Sequence, residues 1–235
     1  MDIKKYNKYK NDKKSFSEKF LYVHDYISGK KSNPKLFGWQ NEILDSNENL
    51  LILKPRNVGV STSFVFDIVN NLNFQKDHKM LVVSPNDSML KELLHLVRYN
   101  LTHLPVTISV GLNKNLKYSI TSNIGSDAIF RCGSNTMGRG YTFDSIYIDE
   151  ADGIKNFEDV FVSLMPCLSL NKGKIFISST PMNNSYFYKL WNSNNTFSKL
   201  SINAPSSYTY NGENSNVLNS ITKEMYDKIV DECII

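Results

Sequence analysis

Leu50-Leu51-Ile52-Leu53 leads into Lys54-Pro55-Arg56-Asn57-Val58-Gly59-Val60-Ser61-Thr62, and an apolar, helix-like segment follows. The layout reads as strand, phosphate loop, helix. In the usual loop, G-x-x-x-x-G-K-[ST], backbone amides cradle phosphates, a lysine reaches the β/γ oxygens and the following hydroxyl holds Mg²⁺. Here Gly59 and Ser61 stand where the second glycine and the hydroxyl belong, but Val60 occupies the lysine position and Lys54 that of the first glycine. The cation has moved to the mouth of the loop, from where its long stem can reach back over the phosphates.

Outward from that stretch, apolar or β-branched runs recur at 50–53, 80–83, 145–148 and 174–177, separated by helix-like segments such as 61–72, 88–101 and 157–164. Strands apolar on both faces and alternating with helices imply a parallel sheet covered on each side, an α/β domain. Between Val106 and Phe130 the pattern shortens to alternating pieces at 106–110, 117–120 and 128–130, which predict a small antiparallel or edge extension. Ser15 to Ile27 reads as a helix broken by Ser28 to Pro34. Tyr186 to Trp191 reads as a short helix, 205–219 as loop and 222–233 as a closing helix.

The length of 235 residues, 41% of them hydrophobic, suits one large domain. No apolar run approaches the roughly 20 residues of a membrane span, and the lysine-rich start lacks the apolar stretch of a signal peptide. Cys132, Cys167 and Cys233 are widely spaced without a C-x-x-C pair, which suggests neither a disulfide framework nor a zinc site. The net charge is +4, and six lysines (Lys4, Lys5, Lys8, Lys10, Lys13, Lys14) crowd the first fourteen residues. They read as a solvated tail or as a flexible arm able to neutralise DNA phosphates.

Ser145-Ile146-Tyr147-Ile148-Asp149-Glu150 is an apolar strand ending in two acids, the form of a Walker B segment. Asp149 would hold Mg²⁺ and Glu150 would polarise the water attacking a γ-phosphate. Lys174 to Pro181 is a further strand, ending in hydroxyls; Ser179 or Thr180 could bond the γ-phosphate or the water and feel its loss. An ordinary strand-to-turn hydroxyl cluster is the plainer alternative.

Together these residues resemble the ATPase domain of phage terminase large subunits, over roughly Leu36 to Asn203. The resemblance implies a P-loop NTPase fold of the RecA-like (ASCE) type, with ATP and Mg²⁺ as its cofactors. Leu36 to Gln40 is similar to the adenine-side motif, with Gln40 at the base edge and Trp39 or Phe37 packed beside it. Lys54 to Thr62 is similar to the deviant loop with a leading lysine, and Arg56 to its internal arginine, thought to contact phosphates or govern Glu150. On that pattern Lys54, Arg56, Asn57, Val58, Gly59, Val60, Ser61 and Thr62 would cradle the nucleotide, Ser61 and Asp149 the metal. Arg139 in Gly138-Arg139-Gly140 is similar to a finger inserted into a neighbouring subunit's site, with Arg131 and Arg98 as weaker candidates. Ser178 to Pro181 looks like the coupling motif.

The resemblance further implies double-stranded DNA as partner, a homo-oligomeric ring assembled on a portal, a possible small terminase subunit, no membrane, and action in the host cytoplasm and transiently at the procapsid. The expected organisation is a basic N-terminal arm and helix (1–35), the ATPase core (36–203), and a C-terminal loop and helix (204–235). The family's nuclease domain has no counterpart in it, since Asp227, Asp231 and Glu232 read as surface charge. Asp149-Glu150-Ala151-Asp152 also spells a DEAD-type helicase signature, and a non-hydrolysing nucleotide-dependent DNA-binding module is the remaining alternative.

Overall fold

The computed structural model describes residues 3–24, 31–134, 137, 140–169, 173–180 and 182–202. In chain order these form α1 (Ile3–Lys10), α2 (Lys13–Phe20), β1 (Val23–His24), β2 (Lys31–Ser32), α3 (Gly38–Asp45), β3 (Leu50–Leu53), α4 (Val60–Phe74), β4 (Lys79–Ser84) and α5 (Asp87–Thr102). There follow β5 (Leu112–Leu116), β6 (Ser119–Ser122), β7 (Asp127–Cys132), β8 (Ser145–Ile148), α6 (Phe157–Leu164), β9 (Lys174–Ser179), α7 (Tyr186–Asn192) and β10 (Ser198–Ser201). A short 3-10 turn, Ala151–Gly153, follows the acids of β8.

Eight strands build one sheet in the order β10-β3-β9-β8-β4-β7-β6-β5. The six from β10 to β7 are parallel, and β6 and β5 add an antiparallel edge. Residues of each central strand alternate between two cores, as period-2 geometry requires. Leu50, Ile52, Met80, Val82, Tyr147 and Phe176 face one core, shared with α4 and α5. Leu51, Leu53, Leu81, Val83, Ile146, Ile148, Ile175 and Ile177 face the other, shared with α6 and α7. The continuous apolar runs are thus the signature of strands covered on both faces.

One feature of the strand order positions the site: β9 lies between β3, which carries the phosphate loop, and β8, which carries the acids. Leu53 pairs with Ser179, and Ile148 with Ile177. The hydroxyls ending β9 therefore emerge between loop and acids at the carboxyl edge.

Several expectations are corrected. Residues 3–10, read as a tail or flexible arm, form the helix α1, whose tyrosines dock on the core. Tyr6 packs on Phe74 with ring centroids 4.9 Å apart and Tyr9 on Phe20 at 4.9 Å, and apolar aromatic area outweighs the polarity of the intervening lysines. The helix expected over 15–27 is α2, which ends at Phe20; Leu21 is extended and wholly buried, and the backbone N–H of Tyr22 is captured by Asn100 Oδ1 at 2.7 Å. Residues 106–110 form no strand: Ile108 and Ser109 close onto the Pro105 carbonyl, both at 2.9 Å. Residues 128–130 belong to β7, which joins the antiparallel extension by pairing with β6 but on its other side runs parallel to β4, so it is also part of the main sheet. The parallel edge strand β10 was not expected. The segments 205–219 and 222–233, with Asp227, Asp231 and Glu232, lie outside the described residues, as do Gly138, Arg139 and Pro181.

Candidate active site

The strand β3 hands directly to Lys54, whose backbone N–H continues the ladder by bonding the Ser179 carbonyl at 3.1 Å. Lys54 is buried, and its ammonium meets Glu150 Oε1 at 2.5 Å. Arg56 and Asn57 form the exposed crest of the loop. Asn57 (φ 61°) and Gly59 (φ 80°) are left-handed, a conformation natural to glycine and tolerated by asparagine. Gly59 caps α4, of which Val60 is the first residue; Val60 is buried, while Ser61 and Thr62 are half-buried.

The loop is braced from α3. Gln40 Nε2 donates to the Gly59 carbonyl at 3.0 Å, and its Oε1 accepts from Phe37 N–H at 3.0 Å. The Trp39 indole N–H donates to the Val58 carbonyl at 3.1 Å, and its ring stacks on Phe37 with centroids 4.6 Å apart. Trp39 is buried and committed to the loop, whereas Phe37 is half-buried beside it. A primary amide has two donor hydrogens and two acceptor lone pairs, so Gln40 keeps one of each after these bonds.

Across β9 stand the acids. Asp149 is 2% exposed; its Oδ2 accepts the Ser61 hydroxyl at 2.6 Å and its Oδ1 the Ser178 hydroxyl at 2.7 Å. Glu150 is left-handed, φ 53°, a conformation that costs a non-glycine residue about 1–2 kcal/mol. Its Oε2 accepts from the Thr180 hydroxyl at 3.2 Å and from the Thr180 N–H at 3.4 Å. Ser179 Oγ accepts from the Asp152 N–H at 3.1 Å. Burial lifts the Asp152 carboxyl to about 6, the negative charge of Glu150 adding to the rise against the opposing hydrogen bonds of Ser185, Ser179 and Phe187.

Lys54, Ser61, Asp149, Glu150 and Thr180 are thus brought together, and Gln40 and Trp39 brace the loop they share. Ser178 and Asp152 were missed as site residues, because a serine inside an apolar strand and an acid after a Walker B pair look ordinary in sequence. The available signal was positional: once β9 lies beside β8, Ser178 comes level with Asp149. Arg98 donates to the Leu116 carbonyl on the β5–β6 turn, as a helix-surface charge. Arg131 donates to the Met137 carbonyl at 2.8 Å and lies 5.0 Å from the centre of the Tyr141 ring.

Ser61 and Asp149 offer hard oxygens, the donors Mg²⁺ prefers when phosphates and water fill its remaining positions. Among the described residues no group of three or more His, Cys, Asp or Glu gathers into a metal cage. The hydroxyl and carboxylate of Ser61 and Asp149 fit a nucleotide-borne Mg²⁺. Among the described residues no helix is long and apolar enough to cross a membrane.

A parallel sheet with a phosphate loop on one strand, acids on another and a hydroxyl-tipped strand between them defines a P-loop NTPase fold. The chain belongs to the terminase large subunit family: the model for "Terminase large subunit, T4likevirus-type, N-terminal" matches residues 51–226. The fold is similar to that of the large terminase of bacteriophage HK97 (TM-score 0.62, 10% identity, 77% of this chain and 40% of that one). It is also similar to the large terminase ATPase domain of Thermus phage P74-26 (0.53, 18% identity, 68% and 70%). A third similar structure is the large terminase of a thermophilic bacteriophage in complex with ADP (0.56, 9% identity, 72% and 46%). The chain spans less than half the length of the HK97 protein and of that ADP-bound terminase.

Proposed function

We propose that this chain is the ATP-hydrolysing motor domain of a terminase large subunit that drives double-stranded DNA into a viral procapsid. The observation that carries this reading is the buried Lys54 ammonium, held on Glu150 at 2.5 Å beside the Ser61–Asp149 pair at 2.6 Å. A cation, a metal-type hydroxyl–carboxylate pair and a water-activating carboxylate converge at the carboxyl edge, where open α/β sheets bind ligands. A chain that only bound nucleotide would not need Glu150. Membership of the terminase family displaces the helicase reading of residues 149–152.

In the mechanism, ATP enters with its phosphates over the amides of 56–62, and Arg56 and Asn57 on the exposed crest meet them first. Gln40 turns its spare donor and acceptor to the adenine edge, with Phe37 packing beside the base. Ser61 and Asp149 would hold Mg²⁺, which would supply charge neutralisation to the phosphate oxygens. In the resting state both oxygens of Glu150 are occupied, one by Lys54 and the other by Thr180. Phosphate oxygens compete for the ammonium, so substrate binding frees Glu150 to orient a water in line with the γ-phosphate. Thr180 and Ser179, which touch Glu150 and the Asp152 N–H, pass the change along β9 towards DNA-gripping surfaces. Arg139 of an adjacent subunit completes the site in a homo-oligomeric ring on a portal, in the host cytoplasm, with a small terminase subunit as a further partner.

Steady-state ATP hydrolysis with and without double-stranded DNA tests this against Glu150→Ala. Wild type hydrolyses and the variant does not, although both bind ATP. If both are equally inactive while ATP still binds, the chain is a binding module. A finger supplied in trans makes turnover per subunit rise with protein concentration, and concentration-independent fast turnover rules it out.

A further inference from the structure

The three consecutive hydroxyls at the end of β9 and directly after it each reach a different part of the acidic segment. Ser179 receives the Asp152 N–H, and Thr180 serves Glu150. Ser178 donates to Asp149 Oδ1 at 2.7 Å, and it is fully buried on a strand paired on both sides. We propose that Ser178 is a positioning residue for the metal: it pins one oxygen of Asp149 so that the other is aimed at the magnesium beside Ser61. This inference rests on the magnesium–nucleotide reading of the same site.

The aim of Asp149 is set by how little freedom its carboxylate retains. That group is planar and the strand backbone fixes both Cα and Cβ, so holding Oδ1 on Ser178 leaves Oδ2 little choice of direction, and here it faces the Ser61 hydroxyl at 2.6 Å. Ser61 sits half-buried at the start of α4 and must turn its oxygen to any cation it helps to hold. Ser178 has no such second duty and no room to leave. It is therefore the partner that keeps Asp149 aligned when Ser61 changes roles. Outer-shell hydrogen bonds to metal-binding carboxylates are worth about 10- to 100-fold in metal affinity.

The experiment measures binding of a fluorescent ADP in EDTA and across a Mg²⁺ titration, together with direct Mn²⁺ binding by electron paramagnetic resonance. It compares wild type, Ser178→Ala, Ser178→Cys and Ser84→Ala. Ser84 is the control: it is fully buried at the end of β4, on the far side of β8, and its hydroxyl finds no partner among the described residues. Ser178→Ala is expected to bind metal-free nucleotide within about twofold of wild type while needing about tenfold more Mg²⁺ or Mn²⁺; Ser84→Ala shifts neither. If Ser178→Ala does not fold, Ser178→Cys, nearly the same size but a weaker donor, is expected to show the metal shift. A parallel loss of metal-free and metal-bound affinity, or an unchanged metal requirement in a folded variant, overturns the proposal and leaves the site reading intact. Absence of any Mg²⁺ dependence in wild type overturns both.

Discussion

Replacing Lys54 by methionine removes a charge from a side chain that is 5% exposed, while its partner Glu150 is 25% exposed. Methionine fills the space of the lysine stem, so the change reports on the ion pair rather than on a cavity. Breaking one side of a fully buried pair costs about 3–5 kcal/mol, but Glu150 keeps the two Thr180 donors and some access to water. The expected loss is therefore that of one hydrogen bond to a charged group, about 2 kcal/mol. In a domain of this size that lowers the melting temperature by about 4–8 °C. A double-mutant cycle with Glu150→Gln, read by urea denaturation, should give a coupling of about 2 kcal/mol without ligand. With a non-hydrolysable ATP analogue and Mg²⁺ saturating all four proteins, the coupling should fall below about 0.5 kcal/mol, because the ammonium then serves phosphates. A coupling undiminished by nucleotide would refute the release of Glu150, and one near zero without ligand would refute the resting pair.

Gly59→Ala should be costly in both stability and nucleotide binding. A Cβ at φ 80° would stand 2.8 Å from Gln40 Nε2; conformational strain of about 1–2 kcal/mol joins the loss of a bond worth about 1 kcal/mol. Gly140→Ala, at φ 78° with nothing within 4 Å, should show the strain alone, and equal urea midpoints for the two variants would contradict this reading. Asp152→Asn should gain stability over wild type as pH rises. The folded-state value of Asp152, about 6, lies above its ordinary 3.8, so the wild-type carboxyl's favourable contribution is full below pH ~4 and lost by pH ~6. Melting curves from pH 4 to 8 would disprove this if the gap between the two proteins did not widen across that window.

The central strands and α4 to α6 were readable in sequence because each is either a doubly covered apolar run or a strong 3.6-residue pattern. The acids and the hydroxyls were readable because they terminate such runs. What sequence obscured was decided by long-range pairing. β10 is a short stretch of serine, lysine and leucine, and only its parallel ladder to β3 makes it a strand. β7 looked like part of an edge hairpin, yet it pairs with β4 on one side and β6 on the other. In the site, the position of Lys54 fitted a relocated cation, but its clasp on Glu150 depends on residues 96 apart in the chain. Ser178 gained its partner only through the placement of β9 beside β8. α1 was obscured because a run of lysines hides two tyrosines on one helical face.

The buried cluster beneath the acid strand ties the outermost layer to the chemistry. Lys13 of α2 reaches Asp67 Oδ1 at 2.7 Å, and the other oxygen of Asp67 accepts the Tyr147 hydroxyl at 2.6 Å. Burial and the Asp67 charge hold that phenol protonated far above its usual range, and Tyr147 precedes Asp149 by only two residues. Trimming the lysine-rich beginning of the chain past Lys13, a natural step for anyone seeking a tidier protein to crystallise, would take from the buried Asp67 carboxylate its Lys13 cation and leave it the neutral donors Tyr147 and Asn71. The lesion would surface two residues from Asp149, so a shortened protein's poor turnover would be mistaken for a fault in the active site.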